Sequence, residues 1–487
     1  MDTDNTAYDV PFLLKCLAKI VLVVVTMKLT QGSGFAIFAP FALFAIFRHK
    51  YVDIVFWLLV TISMMTGNSI LMPRGMTFYI VNRGLLLITG FIMSIHLCGR
   101  KTSPLVTPYL GLLPYLVFMI VPSMLGWNPT ISMLKLILFV MVFIGYCGIA
   151  MQVAQARYVD IRRMRAVVLS MACFYIFGSI LLIPFPGISQ LSGEEYAEAL
   201  LQGKEVVSLF KGIAMHSQAL GPVVCAISVF LMCDMLWGLR RFDKLYVLLL
   251  ICAPILIYKT SSRAGMFSFV LGIMFVSFCF NISRNIGHSW RERVIRIMWI
   301  VGICSFSLIA ALPSMRNGIA RFALKYNAEA TTENFTVEEM VSSRQGLIDT
   351  GLLNFKKSPY IGNGFQVSDS MANAPVNDWS QLLSAPIEKG VWVVAILEEG
   401  GIVGFAIFVI FLVVSGWNLL QRRCYVSLSL FFTIIVSNMA EFTMFSMSGM
   451  GGFMWGMIFV GAAFDAIRIK QETLNSFSVP LECQLWR

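Results

Sequence analysis

The chain has 487 residues, of which 58 % are hydrophobic and only 13 % charged. A soluble domain carries about a quarter charged residues, so an aqueous surrounding is excluded for most of this one. The net charge is +11, but the basic residues are spread between apolar runs instead of gathered into a patch, which argues against nucleic acid as a partner.

A spanning helix needs about 20 apolar residues. Such windows recur near 12–30, 33–47, 52–72, 77–97, 105–125, 131–153, 166–184, 214–237, 243–258, 264–283, 294–313, 391–415, 425–445 and 448–466. They predict an all-α polytopic membrane protein of about 14 transmembrane helices with one large extracytoplasmic loop. The expected parts are a membrane bundle over 1–313, the loop over 314–390, three further spans over 391–466 and a tail over 467–487. The first span starts with Lys15 and Lys19, but no small-residue cleavage site follows, so it is not expected to be removed as a signal.

Basic residues fall in alternate connections: Arg48/Lys50, Arg100/Lys101, Arg162/Arg163/Arg165, Arg240/Arg241, Arg291/Arg293 and Arg422/Arg423, with Arg468 and Lys470 in the tail. The positive-inside rule then places these connections and both termini in the cytoplasm, and the long loop outside. None of the 11 cysteines falls in 185–213 or 314–390. That suits outer loops without a disulfide framework, and no cluster with metal-ligand spacing is present.

Several ionisable groups stand at outer positions. Arg74 lies in the turn Pro73-Arg74-Gly75, and Arg83 follows inside the next span. His216 opens a later span with Ser217 and Gln218, and is the one of four histidines expected to face outward. Lys259-Thr260-Ser261-Ser262-Arg263-Ala264-Gly265 forms a very short outer connection. Cations at such depth are functional candidates by default; snorkelling to the interface is the plainer reading for Lys259, while Arg263, flanked by small residues, points into a cavity. In the loop, Thr336-Val337-Glu338-Glu339 has the form of a capping box, and Ser358-Pro359 stops the helix it starts. Arg344 shares that helix's apolar face with Val337, Met340 and Ile348. It therefore pairs with a carboxylate such as Asp349 or Glu339, or faces a bound anion. The turn Tyr360-Ile361-Gly362-Asn363-Gly364-Phe365 can bring backbone N–H groups close to a ligand, and Glu388, Glu398, Glu399 and Glu441 are acids at a depth to neutralise the arginines.

Ser261-Ser262-Arg263-Ala264-Gly265 opening a span, Arg344 on a loop helix, Ser358-Pro359-Tyr360-Ile361-Gly362-Asn363-Gly364, and Leu397-Glu398-Glu399-Gly400-Gly401-Ile402-Val403-Gly404 within a span occur in this order. Together they resemble the O-antigen polymerase and ligase superfamily over roughly residues 205–410, and His216-Ser217-Gln218 resembles the start of an earlier span in that family. The resemblance implies a GT-C-like bundle in the bacterial inner membrane. It also implies transfer of a glycan from a polyprenyl-pyrophosphate carrier to a sugar hydroxyl, with no cofactor. A lipid-linked oligosaccharide is then the substrate, and a chain-length regulator and a flippase are possible partners. In that setting Arg263 and Arg344 hold the pyrophosphate, His216 or an outer carboxylate serves the attacking hydroxyl, and Arg74, Gln218, Lys259, Gly362, Gly364 and Glu399 line the substrate. Ligases of the superfamily carry a histidine in the large loop; here 314–390 has none, and Pro386-Ile387-Glu388-Lys389 occupies its place. This favours a repeat-unit polymerase, with Glu388 as the base. A ligase and, from another class, a flippase or transporter are the alternatives.

Overall fold

The structure is a computed structural model, and it describes residues 7–98, 106–155, 160–190, 210–238, 243–260, 262–283, 337–369, 389–439, 442–446 and 449–477. The helices in chain order are α1 (Val10–Leu29), α2 (Ser33–Phe47, beginning as a 3₁₀ turn), α3 (Tyr51–Thr66), α4 (Met76–Cys98), α5 (Thr107–Leu125), α6 (Pro129–Gln155) and α7 (Ile161–Leu181). After these come α8 (Ser217–Gly238), α9 (Lys244–Lys259), α10 (Arg263–Ile282), α11 (Val337–Lys357), α12 (Trp392–Gln421), α13 (Tyr425–Ser437) and α14 (Gly449–Phe477). Among the described residues there is no strand, only isolated bridges such as Gly67 to Ala214.

Nine helices among the described residues (α1, α4–α8, α10, α12 and α14) are long and apolar enough to cross a membrane. The chain is a multi-pass, all-α membrane protein. The expected span over 294–313 lies outside the described residues.

Three expected spans differ in form. The one near 52–72 is helical only to Thr66, because Asn68 leaves the helix: its side chain donates to the carbonyls of Ile188 (2.7 Å) and Gly212 (2.8 Å). Likewise α13 stops at Ser437, where Asn438 accepts from the N–H of Thr443 (2.8 Å). Hydropathy counts those apolar tails as span, but their backbone bonds are made elsewhere. The third, α5, is three short helical pieces with Pro108, Pro114 and Pro122 among them, each proline removing a helical N–H.

Helix α8 is buried almost all round, so its mostly apolar sequence meets protein on every face. By contrast α1 exposes Leu14, Val21, Leu22 and Val25, and α12 exposes Ile410, Val413, Val414 and Trp417. These are lipid-facing flanks, where apolar side chains cost nothing.

The connections collect at two ends. At one end Asp9 caps α1 and accepts from Arg163 (3.1 Å). Asp465 accepts from the N–H of Ser427 (2.9 Å) at the start of α13, and Arg468 donates to the Arg423 carbonyl. Trp237 and Tyr425 stack there with centroids 5.2 Å apart. At the other end Met215 N–H donates to Thr66 (2.7 Å), Trp127 N–H to Asn363 (2.9 Å), and Phe442 N–H to Gly390 (2.8 Å).

The first end also buries a charged network. Arg165 forks onto Asp234 (2.9 and 3.0 Å) and donates to the Gly238 carbonyl (2.8 Å), while Tyr246 Oη donates to Asp234 (2.7 Å). Removing one member leaves the other charge buried and unpaired, which costs about 3–5 kcal/mol. Arg165→Met is therefore expected to lower the melting temperature of the detergent-purified chain sharply. The double variant Arg165→Met/Asp234→Leu should recover much of the loss, because neither charge remains.

Candidate active site

Two regions hold the sequence-flagged residues. The first is where α8 and α10 begin. The two helices cross at Gly221 and Gly265: a Cβ added at Gly265 would lie 2.8 Å from Gly221 Cα, and one at Gly221 would lie 2.6 Å from Ser262 Cβ. Such small-residue crossings let backbones approach closely in a membrane. This one sets the N-termini of α8 and α10 side by side. His216 is the N-cap of α8 and is exposed, with Gln218 half-buried behind it. Ser262 caps α10 through a bond from Gly265 N–H (3.1 Å), which makes half-buried Arg263 the first helical residue. A helix N-terminus favours anions. A guanidinium in that position adds to the same field instead of opposing it. The crossing thus brings the two helix starts, with His216 at one and Arg263 at the other, to neighbouring positions at the same end of the bundle.

Lys259 ends α9 and is exposed. Its charge suits the C-terminal end of that helix's dipole, the interfacial reading. Thr260, fully buried, shapes the turn by accepting from Ser262 N–H (3.2 Å). Arg74 is braced differently from the expectation of a substrate contact: its guanidinium donates to the carbonyls of Met65 (2.6 Å) and Gly67 (3.0 Å), closing the end of α3. Burial draws its pKa below the usual guanidinium value, a cost those two carbonyls offset.

The second region is a joint between the loop and α12. Gly401 breaks α12 with φ 62° and ψ −167°, a conformation suited to glycine. A break inside a span frees backbone groups that lipid cannot satisfy, and the turn after α11 satisfies them. Asn363 N–H donates to the Glu398 carbonyl (2.9 Å) and Gly364 N–H to that of Glu399 (3.1 Å). In return Ile402 and Val403 donate to the carbonyls of Pro359 (2.9 Å) and Tyr360 (3.2 Å). Gly362 and Gly364, expected to offer N–H groups to a substrate, have them bonded to the Ser358 and Glu399 carbonyls instead. They are parts of the joint.

Charge is buried there too. Lys389 Nζ lies 3.1 Å from Glu399 Oε1 and 3.6 Å from Glu398 Oε2. Among the described residues a lysine thus meets the acids of α12. Asn354 Nδ2 donates to Glu398 Oε1 (3.1 Å), and Lys135 Nζ donates to the Gln366 carbonyl (3.1 Å). Sequence reading assigns no role to Lys389, Asn354 or Lys135. Lys135 carried a usable signal, being a lone cation inside an apolar run.

Arg344 lies on α11, with its side chain outside the described residues, and Glu388 and Glu441 lie outside them altogether. No family model matches the chain, and no curated protein matches its sequence.

Proposed function

We propose that the chain is a GT-C-like membrane glycosyltransferase that polymerises polyprenyl-pyrophosphate-linked oligosaccharide repeat units. It would work on the outer face of the bacterial inner membrane, with the end bearing Asp9, Arg163 and Arg468 in the cytoplasm. The observation that carries the reading is the joint. Two motif pieces of the superfamily resemblance, Ser358–Gly364 and Leu397–Gly404, lie far apart in sequence yet complete each other's backbone hydrogen bonds. A loop held in this way is a working part of the bundle.

In the proposed reaction an acceptor hydroxyl oxygen forms a bond to the donor's anomeric carbon as the bond to the pyrophosphate oxygen breaks. His216 or Glu388 takes the hydroxyl proton. The leaving pyrophosphate gains charge, which Arg263, the paired helix starts and Arg344 stabilise. Arginine suits the task because its planar fork matches two phosphate oxygens at once.

A transporter is the reading from another class, and broken helices are common in transporters as substrate-binding elements. Here the groups freed at Gly401 are occupied by the loop's own backbone, which favours an anchored loop over a vacant midplane site.

Because guanidinium groups supply the charge in this mechanism, transfer is expected to persist in EDTA. Complete loss that Mg²⁺ or Mn²⁺ restores would overturn the arginine-only mechanism and direct attention to Asp349, Asp369 and Asp378. The function itself is tested in a strain lacking the gene. Reintroduction should restore the ladder of long surface glycans; a strain that keeps its full ladder without the gene would refute the proposal.

A further inference from the structure

The buried charges at the joint enter no step of the proposed transfer, yet ionic groups at this depth are costly to keep. Four of them, Lys135, Lys389, Glu398 and Glu399, are each at most 6 % exposed. Their partners show what they hold. Lys389 stands where the chain returns from the large loop to α12, and it pairs with acids on the last turn before the break at Gly401. Glu398 is bridged on its other oxygen by Asn354, near the end of α11. One turn earlier on α11, Gly351 packs against Val394 of α12: a Cβ at Gly351 would lie 3.9 Å from Val394 Cβ and 3.6 Å from Glu398 Oε2. Lys135 of α6 grips the Gln366 carbonyl just beyond the turn. Both ends of the chain between 366 and 389 are therefore fastened around the same short stretch of α12.

We propose that Lys389 is a positioning residue: by pairing with Glu398 and Glu399 it clamps α11 and the end of the loop onto the broken span, and so fixes where α11 presents Arg344. This rests on the transfer reading for its functional consequence, but the clamp itself is a matter of geometry. Lysine fits the part as a compact point charge lying 3.1 Å from one carboxylate and 3.6 Å from the other. The clamp meets α11 at Asn354, nearly three turns from Arg344, so it acts on the reaction only through the helix.

The test is a disulfide between α11 and α12 in the full-length chain. The pair Gly351→Cys/Val394→Cys has a Cβ separation of 3.9 Å, within the disulfide range of about 3.5–4.5 Å. Replacing Val394 also removes the methyl that a side chain at 351 would strike. Bridging is read as the extent of the disulfide at equilibrium in thiol–disulfide buffers, by peptide mass spectrometry, and glycan transfer is measured separately in chains without the added cysteines. Adding Lys389→Met should lower the bridging equilibrium constant about tenfold, because a looser joint populates the arrangement that forms the bridge less. Lys389→Met alone should lower transfer on the order of a hundredfold through misplacement. Lys389→Arg should restore both. An unchanged bridging constant in Lys389→Met would overturn the clamp, whatever the activity. Should Lys389→Met fail to accumulate, Lys389→Met/Glu398→Gln/Glu399→Gln removes the lysine together with both its carboxylates, a change buried ion pairs tolerate better; weakened bridging there supports the clamp and unchanged bridging overturns it. Weakened bridging in a protein whose unaltered form transfers no glycan would leave the clamp standing and refute the transfer reading.

Discussion

Gly362→Ala is expected to destabilise the folded chain by about 3 kcal/mol or more, through backbone strain and overpacking together. The reason is specific to the joint. Gly362 has φ 78°, and a Cβ there would lie 2.2 Å from the Glu399 carbonyl oxygen and 2.4 Å from Gly400 N. Nothing near is the free end of a flexible side chain; the obstacle is the backbone of α12. Gly401 faces the mirror problem, since its Cβ would lie 2.3 Å from the Tyr360 carbonyl oxygen at φ 62°. Gly401→Ala should therefore fail in the same way. Gly416 belongs to the same helix, and a Cβ there meets nothing within 4 Å. Gly416→Ala should be neutral or stabilising by up to about 1 kcal/mol, the helix preference of alanine over glycine. Thermal unfolding of the three detergent-purified variants checks this. Equal melting temperatures for Gly362→Ala and Gly416→Ala would mean that the turn and the broken span are not joined as described.

Arg263→Ala is expected to lower transfer on the order of 10²–10³-fold while the protein still folds, the scale of losing one charge-stabilising group at a developing anion. Arg263 is half-buried at the first position of α10. Arg263→Lys should recover little, since a point charge cannot reproduce the two-oxygen grip of a guanidinium. Transfer rates set against melting temperatures separate this from misfolding. A stable Arg263→Ala variant of near-normal rate would remove Arg263 from the chemistry.

Much of the architecture could be read from hydropathy, because lipid forces each span to satisfy its own backbone. The places where that reading overran are places where this condition is met otherwise. Asn68 and Asn438 carry the chain out of helix into bonds with other connections, and no window average detects an asparagine's partners. The turn at 360–365 was legible as a turn from its glycines. Its destination was not, because pairing with α12 is a long-range contact. Two glycines at 400 and 401 inside an apolar run were the available hint of a break. The burial of Lys389 was hidden for a similar reason: a lysine between a polar loop and a span reads as interfacial until its carboxylate partners are placed around it. Arg263 and His216 stood out as outer ionisable groups, but only the Gly221–Gly265 crossing shows that the helices they begin are neighbours.

The most direct test uses the purified chain in lipid vesicles, supplied with a polyprenyl-pyrophosphate-linked oligosaccharide from a polysaccharide-producing strain. The expected products are lengthened by whole repeat units, with one polyprenyl pyrophosphate released for each unit joined and roughly 10²–10³-fold slower formation by Arg263→Ala. Movement of the intact lipid-linked oligosaccharide across the vesicle membrane, with no new glycosidic bond and no pyrophosphate released, would contradict the polymerase reading.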